Sequence, residues 1–540
     1  MIERKNIYLL CIVILLSSFS IYFSHQFYFE DSHITLRYAQ RLIEGKGLTW
    51  NDGERVEGFS NFFWLLQNAL LGYVGFDLES SSRYLGIAYY IAILAVLILV
   101  KLPAVLLIPV ITLPSLNMYA MSGMETVSFC FWLLAGTALL NKALERRIHE
   151  ARIDNQPSNQ ASKKLFVISG LLFTAGALTR PEGVLVGILV LIYLFNKKQT
   201  TSALRFAIGF VPPILAYQVF RMLYFHDILP NTYYAKSANI SKLILLKSAF
   251  FYLAKWSVEW IPIAVLILLV LRRISIKKVI LPITISLPVV MAYFLGGGDH
   301  MKGIRFLLPA IIVVAYGAGH SLKGRKLSLE KGVTGLTVFV VLVHIFLATV
   351  HWTLPIFPMT FGLKPRSSAA AHGEIVGKFL DDNLPARTLL ASNDAGTITY
   401  YGASLNFIDM LGLNDKIIAK RKIMAFKTSY QKKPGHFKGD GDYVLSRKPD
   451  VIFLGLTYGS LGDDKMNLFL SDYEIIQNKG FRENYTPYKI EIPLSEEQRE
   501  WHEVKRHLEN GRYYIFGWLR NDSRNVESLR RIGTVVISKS

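Results

Sequence analysis

Apolar residues collect in long blocks through the first two-thirds of the chain. Most blocks have roughly 14 to 20 residues, about the length that a helix needs to cross the hydrocarbon core of a bilayer. They lie at residues 7–23, 62–76, 84–100, 103–116, 124–141, 165–179, 183–196, 206–224, 252–271, 279–295, 305–319 and 333–352. This pattern predicts a mainly α-helical, polytopic membrane protein.

The pattern changes after residue 352. Residues 370–383 have the periodicity of a short amphipathic helix, 388–396 are typical of a strand that runs into a turn, and 449–455 are typical of a buried strand. We therefore predict two parts, a membrane module over residues 1–352 and a soluble α/β domain over residues 353–540.

Composition agrees with this division. The chain has 540 residues, of which 51% are hydrophobic and 19% charged, and its mean hydropathy is +0.32. The formal net charge is +20, but the basic residues are scattered among short loops and form no aromatic-interleaved basic face. This excludes nucleic acid and indicates membrane lipids as partners. Cys11 and Cys130 both lie in apolar blocks, so neither a disulfide framework nor a cysteine metal site is predicted.

The basic loops also predict the topology. They lie at residues 1–5, 101, 142–164, 197–205, 272–278 and 321–331. The positive-inside rule places such loops in the cytoplasm. If block 62–76 crossed the membrane, every loop from Lys101 onward would change side, and the basic loops would fall outside. We therefore predict eleven transmembrane helices, with 62–76 as a juxtamembrane helix whose aromatic residues suit the interface.

On this topology the polar loops lie together on the extracytoplasmic side. They are the first loop 24–61, the turns 117–125 and 179–183, the loops 226–242 and 296–305, and the C-terminal domain. Charged residues near membrane depth are costly unless they line a cavity. The arrangement therefore predicts one site built from several outer loops.

The first loop is the densest in ionisable residues. Glu30 and Asp31 closely follow the first block, where a partly desolvated carboxylate can act as a general base on a hydroxyl. Asp31 alternatively caps the amphipathic helix predicted to start beside it and to lie on the membrane, and the two roles are compatible. Arg37 and Arg41 are one turn apart on that helix and either bind a phosphate or form a solvated basic face.

Other motifs narrow the chemistry. The neighbouring Asp299 and His300 are potential metal ligands, but two ligands without a spaced third make a weak metal signal. The sequence contains no Walker, Rossmann, HExxH or GxSxG motif, so ATP-driven transport and the common soluble hydrolase mechanisms are not supported.

Several ordered motifs carry a family resemblance. Residues 30–61 follow the pattern DDAxIxxRYAxNL…GxGLxxNxGExVEGxTN, and further matches lie at 122–126, 179–183, 229–236, 297–299 with 305–306, 393–396 and 409–415. This set resembles the LphB and AftB-like membrane glycosyltransferases of the GT-C class. The resemblance covers about residues 1–450, and Glu30 stands where the family usually has aspartate.

The resemblance implies transfer of a sugar from a polyprenyl-phosphate donor to a hydroxyl of an extracytoplasmic glycan or lipid, with inversion, during assembly of the cell envelope or lipopolysaccharide. It implies Asp31, and secondarily Glu30, as catalytic acids. The phosphate-binding candidates are Arg37, Arg180, Lys236 and Arg305. The remaining substrate-binding candidates are Glu57, Asn61, Glu125, Glu182, Asn231, Tyr234, Asp299, His300 and Asp394.

The same resemblance implies a bacterial inner-membrane protein whose C-terminal domain is periplasmic. It names no cofactor beyond the lipid-linked donor and leaves a divalent metal open. Two alternatives remain from the residues alone. One is a transporter or flippase of lipid-linked saccharide, which would require ionisable residues near the bilayer midplane and inverted repeats. The other is an assembly protein whose C-terminal domain binds a periplasmic partner.

Overall fold

A computed structural model gives the architecture of the chain. It describes residues 4–25, 27–153, 160–236, 240–272, 274, 276–322, 331–349, 352–354, 359–361, 368–462 and 468–536. The predicted basic loops 1–5, 142–164, 272–278 and 321–331 and the predicted outer loop 226–242 therefore fall partly outside the described residues.

Helices dominate the membrane module. They are α1 Arg4–Ser24, α2 Ser32–Ile43, α3 Phe62–Tyr73, α4 Leu78–Leu99, α5 Ala104–Ile111, α6 Pro114–Met121, α7 Thr126–Ile153, α8 Gln160–Thr179, α9 Glu182–Asn196, α10 Thr200–Phe225, α11 Asn231–Lys236, α12 Lys242–Lys255, α13 Ser257–Leu271, α14 Ile280–Leu295, α15 Leu308–Ser321 and α16 Lys331–Thr349. Each predicted apolar block coincides with one of these helices or with a pair of them.

Helix length and composition identify fewer membrane spans than the block pattern predicts. Within the described residues, three helices are long and apolar enough to cross a membrane, namely Leu78–Leu99, Thr126–Glu150 and Thr200–Phe225. Two bent pairs, α5 with α6 and α12 with α13, raise the number to five if each pair is one span, and α9, α14, α15 and much of α16 are shorter apolar helices. The prediction of eleven spans is not confirmed by these criteria.

Two predicted blocks are bent helix pairs rather than straight helices. Block 103–116 divides into α5 and α6, whose axes differ by 47°. Pro114 explains this break, because the residue before a proline is driven out of the helical conformation, and Leu113 has φ −54° and ψ 117°. Block 252–271 begins within α12 and bends by 81° at Trp256 into α13.

Helix α3 is only 12 residues long. The residues before and after it contact the same part of the molecule. Before α3, Asn61 Nδ2 donates a hydrogen bond to Thr35 Oγ1 of α2. After α3, Glu79 accepts a hydrogen bond of 3.1 Å from the Tyr401 hydroxyl of the C-terminal domain. That block 62–76 does not cross the membrane stays a prediction.

The C-terminal region folds into a mixed α/β unit. Its helices are α17 Ser368–Asn383, α18 Thr397–Tyr401, α19 Lys416–Lys420, α20 Gly441–Ser446, α21 Leu470–Gln477, α22 Phe481–Asn484, α23 Glu496–Glu500, α24 His502–Lys505 and α25 Glu527–Ile532. Its strands are β1 Trp352–Leu354, β2 Met359–Phe361, β3 Leu389–Ser392, β4 Asn406–Asp409, β5 Val451–Ile452, β6 Tyr485–Ile492, β7 Leu508–Glu509, β8 Arg512–Arg520 and β9 Gly533–Val535. The predicted helix at 370–383 and the strands at 388–396 and 449–455 correspond to α17, β3 and β5.

The main sheet has the order β4-β3-β5-β8-β6-β9, with β7 paired to β8. Strands β4, β3 and β5 are parallel, and the remaining pairs are antiparallel. The turns after β3 and β4 carry the polar motifs 393–396 and 409–415, at the carboxyl ends of parallel strands where α/β folds place ligand sites.

The prediction that α2 lies on the membrane is wrong. Nine of its twelve residues are buried. Its apolar residues belong to one hydrophobic cluster with residues of the C-terminal unit, including Leu36 and Tyr38 of α2 and Ile375 and Phe407 of the C-terminal unit. The polar face of the helix is thus covered by protein instead of solvent.

Candidate active site

Three carboxylates meet where the first loop contacts the C-terminal unit. Glu30 and Asp31 precede α2, and Asp394 lies in the turn between β3 and α18. The backbone N–H of Gly396 donates a hydrogen bond to Glu30 Oε1. A Cβ atom on residue 396 would lie 2.2 Å from the Glu30 carbonyl oxygen, so this approach requires glycine.

Asp31 occupies the N-cap position of α2, but its side chain accepts no capping hydrogen bond there. The capping interpretation is therefore not supported. Burial raises the pKa of Glu30 well above its ordinary value, and the charges of Asp31 and Asp394 raise it further. Burial also raises the pKa of Asp394 to about 7, with Asp31 adding to the effect. The cluster consequently holds at least one proton near neutral pH.

Arg305 faces this region from the loop between α14 and α15. Its Nε lies 2.5 Å from Asp299 Oδ2, its Nη2 lies 3.2 Å from Oδ1, and its guanidinium stacks 4.7 Å from the centre of the Phe306 ring. Burial acts to raise the pKa of Asp299, but Arg305 and His300 hold it below its usual value. Asp299 is therefore a charged anchor that orients the arginine.

Four predicted residues form a second network around Arg180. The guanidinium lies 2.8 Å from Glu125 Oε1 and 2.5 Å from Glu182 Oε1, and it stacks 4.4 Å from the Phe306 ring. Asn61 Nδ2 donates to Glu125 Oε2 over 3.0 Å. Arg180 and Arg305 thus share one aromatic ring, and each is held by carboxylates.

Lys236 is a third cation in the same region. Among the described residues, its ammonium has neither a hydrogen-bond partner nor an ion-pair partner. Burial lowers its pKa, against the opposing charges of Asp31 and Asp299. Burial likewise lowers the pKa of His300, again against Asp299 and Asp31. Asp31 is therefore within electrostatic reach of Lys236, His300 and Arg305.

The geometry does not support the prediction that Arg37 binds phosphate. Its guanidinium is buried between the rings of Trp50 and Phe407. It donates to the backbone carbonyls of Trp50, Thr399, Gly402 and Leu405. Three of these carbonyls lie in and just after α18, and an arginine near a helix C-terminus satisfies carbonyls that the helix leaves open. Arg37 therefore joins the first loop to the C-terminal unit.

Three predicted substrate residues also hold the loops together instead of joining the carboxylate cluster. Glu57 is buried against Arg221, with Nε 2.6 Å from Oε2, and accepts a 2.6 Å bond from Tyr217. Asn231 Nδ2 donates to the backbone carbonyls of Gly412 and Leu413 in the 409–415 motif, and each is 2.9 Å away. The Lys420 ammonium lies over the Tyr234 ring, 4.8 Å from the ring centre.

Metal ligands are not assembled in the part of the chain that the structure describes. No group of three histidine, cysteine, aspartate or glutamate side chains there is close enough to hold an ion. Asp299 is engaged by Arg305, and the ring of His300 lies 4.7 Å from that of His436. No ligand set can therefore be named for the divalent metal that the sequence left open.

Sequence reasoning missed several residues that shape this site. Arg221 and Glu259 lie at or inside apolar blocks, and a charge in such a block is a signal of function that could have identified them. His436 could not have been found, because its contact with His300 joins positions more than a hundred residues apart. Gly396 lies in the predicted motif 393–396, but its hydrogen bond to Glu30, 366 positions away, could not have been read from the sequence.

The chain is similar in sequence to two known arabinofuranosyltransferases. It is 26% identical over 340 residues to the terminal beta-(1->2)-arabinofuranosyltransferase of Mycobacterium tuberculosis (strain ATCC 25618 / H37Rv), a match that covers 53% of this chain and 51% of that protein. It is 30% identical over 234 residues to the protein of the same name from Corynebacterium glutamicum, covering 39% of this chain and 33% of that protein. The chain thus matches about half the length of the first relative and a third of the second. These matches confirm the AftB-like part of the resemblance, and the LphB part stays a prediction.

Two further similarities concern the domain and the fold. Residues 366–508 match a family model described as a domain of unknown function (DUF8728). The crystal structure of ArnT from Cupriavidus metallidurans bound to undecaprenyl phosphate superposes with a TM-score of 0.46 at 10% identity, covering 75% of this chain and 86% of that one. The apo form gives a TM-score of 0.44 at 10% identity, covering 74% and 85%.

Proposed function

We propose that this chain is an integral membrane glycosyltransferase of the GT-C class. It transfers a sugar from a polyprenyl-phosphate donor to a hydroxyl of an extracytoplasmic glycan or lipid during cell-envelope assembly. The chain's similarity to arabinofuranosyltransferases supports sugar transfer, and makes an arabinofuranose the first sugar to test. The undecaprenyl phosphate bound to ArnT suggests the class of lipid carrier.

One observation carries this proposal. Asp31 lies at the start of α2 without a capping bond and within electrostatic reach of Lys236 and Arg305. A carboxylate within electrostatic reach of cations suits a displacement at an anomeric carbon, since the carboxylate can remove the acceptor proton while the cations stabilise the departing phosphate.

The steps follow from these positions. The Asp31 carboxylate takes the proton of the acceptor hydroxyl while that oxygen forms a bond to the anomeric carbon. The bond between the anomeric carbon and the phosphate oxygen breaks, and its electrons leave with the polyprenyl phosphate. Lys236 and Arg305 stabilise the charge that develops on the phosphate, with Arg180 beside them. Attack opposite the leaving group inverts the anomeric configuration.

Other residues of the cluster take supporting roles. Glu30 is held by the Gly396 N–H, so it fixes the carboxylate cluster against the C-terminal unit. The protonated form of Asp394 is favoured by burial, which limits repulsion toward Asp31. On this proposal the C-terminal unit lies in the periplasm of a bacterium and closes the site from above.

The proposal is tested in proteoliposomes with a panel of polyprenyl-phosphate sugars and acceptor glycans. Asp31→Asn should retain membrane expression and lose transfer by about a thousandfold, because general base catalysis contributes roughly 10²–10⁴-fold. The matched control is Asp382→Asn, an exposed aspartate of α17, which should transfer at the wild-type rate. Wild-type turnover by Asp31→Asn would remove Asp31 from the role of base. Movement of the lipid-linked sugar across the bilayer without transfer would instead favour the flippase alternative.

A further inference from the structure

Glu259 is an acid buried inside an apolar helix, and it takes no part in the proposed transfer reaction. Glu259 lies in the first turn of α13, just after the bend at Trp256, and is 2% exposed. Among the described residues no cation pairs with it. Ionisable side chains within membrane helices are costly and usually serve a function.

The Glu259 carboxylate is directed at Ser115 in the first turn of α6. Its Oε1 accepts from the Ser115 backbone N–H over 2.8 Å, and its Oε2 accepts from the Ser115 hydroxyl over 2.8 Å. The N-cap Leu113 supplies no side-chain oxygen, and Pro114 has no N–H. Glu259 therefore provides the acceptor that the start of α6 lacks, where the helix dipole also favours a negative charge.

Ser115 also contacts the loop that contains Arg305. Its hydroxyl oxygen accepts a 2.9 Å hydrogen bond from the backbone N–H of Ile304. Gly303 has φ +76°, and a Cβ atom there would lie 2.1 Å from the Ser115 hydroxyl oxygen. Only glycine lets the loop approach the serine this closely. One turn farther along α6, the Tyr119 hydroxyl donates to the Lys302 carbonyl over 2.7 Å.

These contacts fix the backbone immediately before Arg305, while Asp299 fixes its guanidinium. We infer that Glu259 and Ser115 are positioning residues for Arg305, forming a relay from the α12–α13 bend through α6 to the phosphate-binding loop. The inference rests on the proposed function, since it assumes that Arg305 meets the donor phosphate. It assigns a role to two residues that touch neither substrate nor the reacting atoms.

The test compares Ser115→Ala with Ser286→Ala. Ser286 is a buried serine of α14 whose hydroxyl donates to the Pro282 carbonyl of its own helix over 2.9 Å and lies 3.4 Å from the Ala310 carbonyl of α15. Its loss removes a hydroxyl of the same kind without removing a contact to residues 302–305. Ser115→Ala keeps the bond from the Ser115 N–H to Glu259 Oε1 but removes both hydroxyl bonds, the one to Glu259 Oε2 and the one from the Ile304 N–H. We expect the KM for the lipid-linked donor to rise about tenfold in Ser115→Ala, with kcat changed less than about threefold, because misplacing a binding group weakens donor binding first. Ser286→Ala should keep the wild-type KM.

A second variant keeps the test independent of folding losses. Glu259→Gln preserves an acceptor for the Ser115 N–H but presents an amide nitrogen to the hydroxyl, so it should raise the KM in the same direction. If the two residues act through one relay, the double variant should show no larger KM than Ser115→Ala alone. Additive effects, or an unchanged KM in Ser115→Ala, would overturn the inference.

Direct binding separates this inference from the proposed function. Undecaprenyl phosphate should raise the Tm of the wild type and of Ser286→Ala, and raise that of Ser115→Ala less at the same concentration. Absence of sugar transfer by the wild type would refute the proposed function, while these shifts would still report on the relay. Equal shifts in all three proteins would refute the relay.

Discussion

Asn51 and Phe407 exchange two hydrogen bonds across the boundary between the first loop and the C-terminal unit. Asn51 Nδ2 donates to the Phe407 carbonyl over 2.7 Å, and the Phe407 N–H donates to Asn51 Oδ1 over 3.0 Å. Phe407 lies in β4, which is the edge strand of the main sheet. An open strand edge exposes unpaired backbone groups, so the asparagine amide completes the sheet as a further strand would.

Asn51→Ala should weaken this docking. It leaves a buried donor and a buried acceptor of Phe407 without partners, which costs about 2 to 4 kcal/mol for the two groups. We expect a lower Tm of the purified protein, followed by tryptophan fluorescence. Asn484→Ala, at the exposed last residue of α22 in the same unit, is the control and should leave the Tm within a degree or so of the wild type. An equal loss in both variants would contradict the bridging role of Asn51.

Arg37→Lys distinguishes docking from phosphate binding. Lysine keeps the positive charge but cannot reach the carbonyls that the guanidinium fork spans, so the Tm should fall by an amount corresponding to about 3 kcal/mol. The KM for the lipid-linked donor should stay near the wild-type value. Arg387→Lys, at a side chain that is 77% exposed, controls for the exchange itself. A raised KM with an unchanged Tm would restore the phosphate role.

The helices of the membrane module could be predicted from the sequence because one simple requirement governs them. A lipid-facing helix must be apolar over its length, and this leaves a block that can be read directly. The pattern could not show that α2 is covered by protein, since a polar face looks the same whether it meets water or the backbone carbonyls that Arg37 binds. It could not show that the α5–α6 block is bent, although Pro114 marks the place.

The candidate site was predicted as a set of loops but not as a set of pairs. Asp31, Arg180, Arg305 and Asp394 lie in turns or loops, and Lys236 is the last residue of α11. The packing of the helices decides which residues pair. Arg180 forms an ion pair with Glu125, 55 positions away, and Arg221 forms one with Glu57. No periodicity records such contacts, so structural and substrate-facing acids could not be separated beforehand.

The contact between Glu79 and Tyr401 gives a topology prediction. Because Tyr401 belongs to the C-terminal unit, the start of α4 must lie on the same side of the membrane as that unit. A cysteine at Phe76, which is 55% exposed, should react with an impermeant maleimide added to spheroplasts. The background carries Cys11→Ser and Cys130→Ala, and the comparison site is Lys197→Cys in a predicted cytoplasmic loop, which should react only after permeabilisation. Labelling of Phe76→Cys only after permeabilisation would mean that block 62–76 crosses the membrane.

The buried carboxyl of Asp394 should make stability depend on pH. Its pKa is about 7 in the folded protein against 3.8 for an ordinary aspartate, because burial and then Asp31 disfavour the charged form. Between these values the folded state holds a proton that the unfolded state has released, so the stabilisation is complete below about pH 4 and is lost as the pH rises through 7. For one proton the slope is at most about 1.4 kcal/mol per pH unit. Asp394→Asn removes the titration, so its Tm should fall less than that of the wild type between pH 5 and pH 8.

Glu30, Asp409 and Asp472 contribute in the same direction, which is why the difference between the two proteins is the quantity to measure. With Asp382→Asn as the exposed control, identical slopes in all three proteins would show that Asp394 is not the group that titrates.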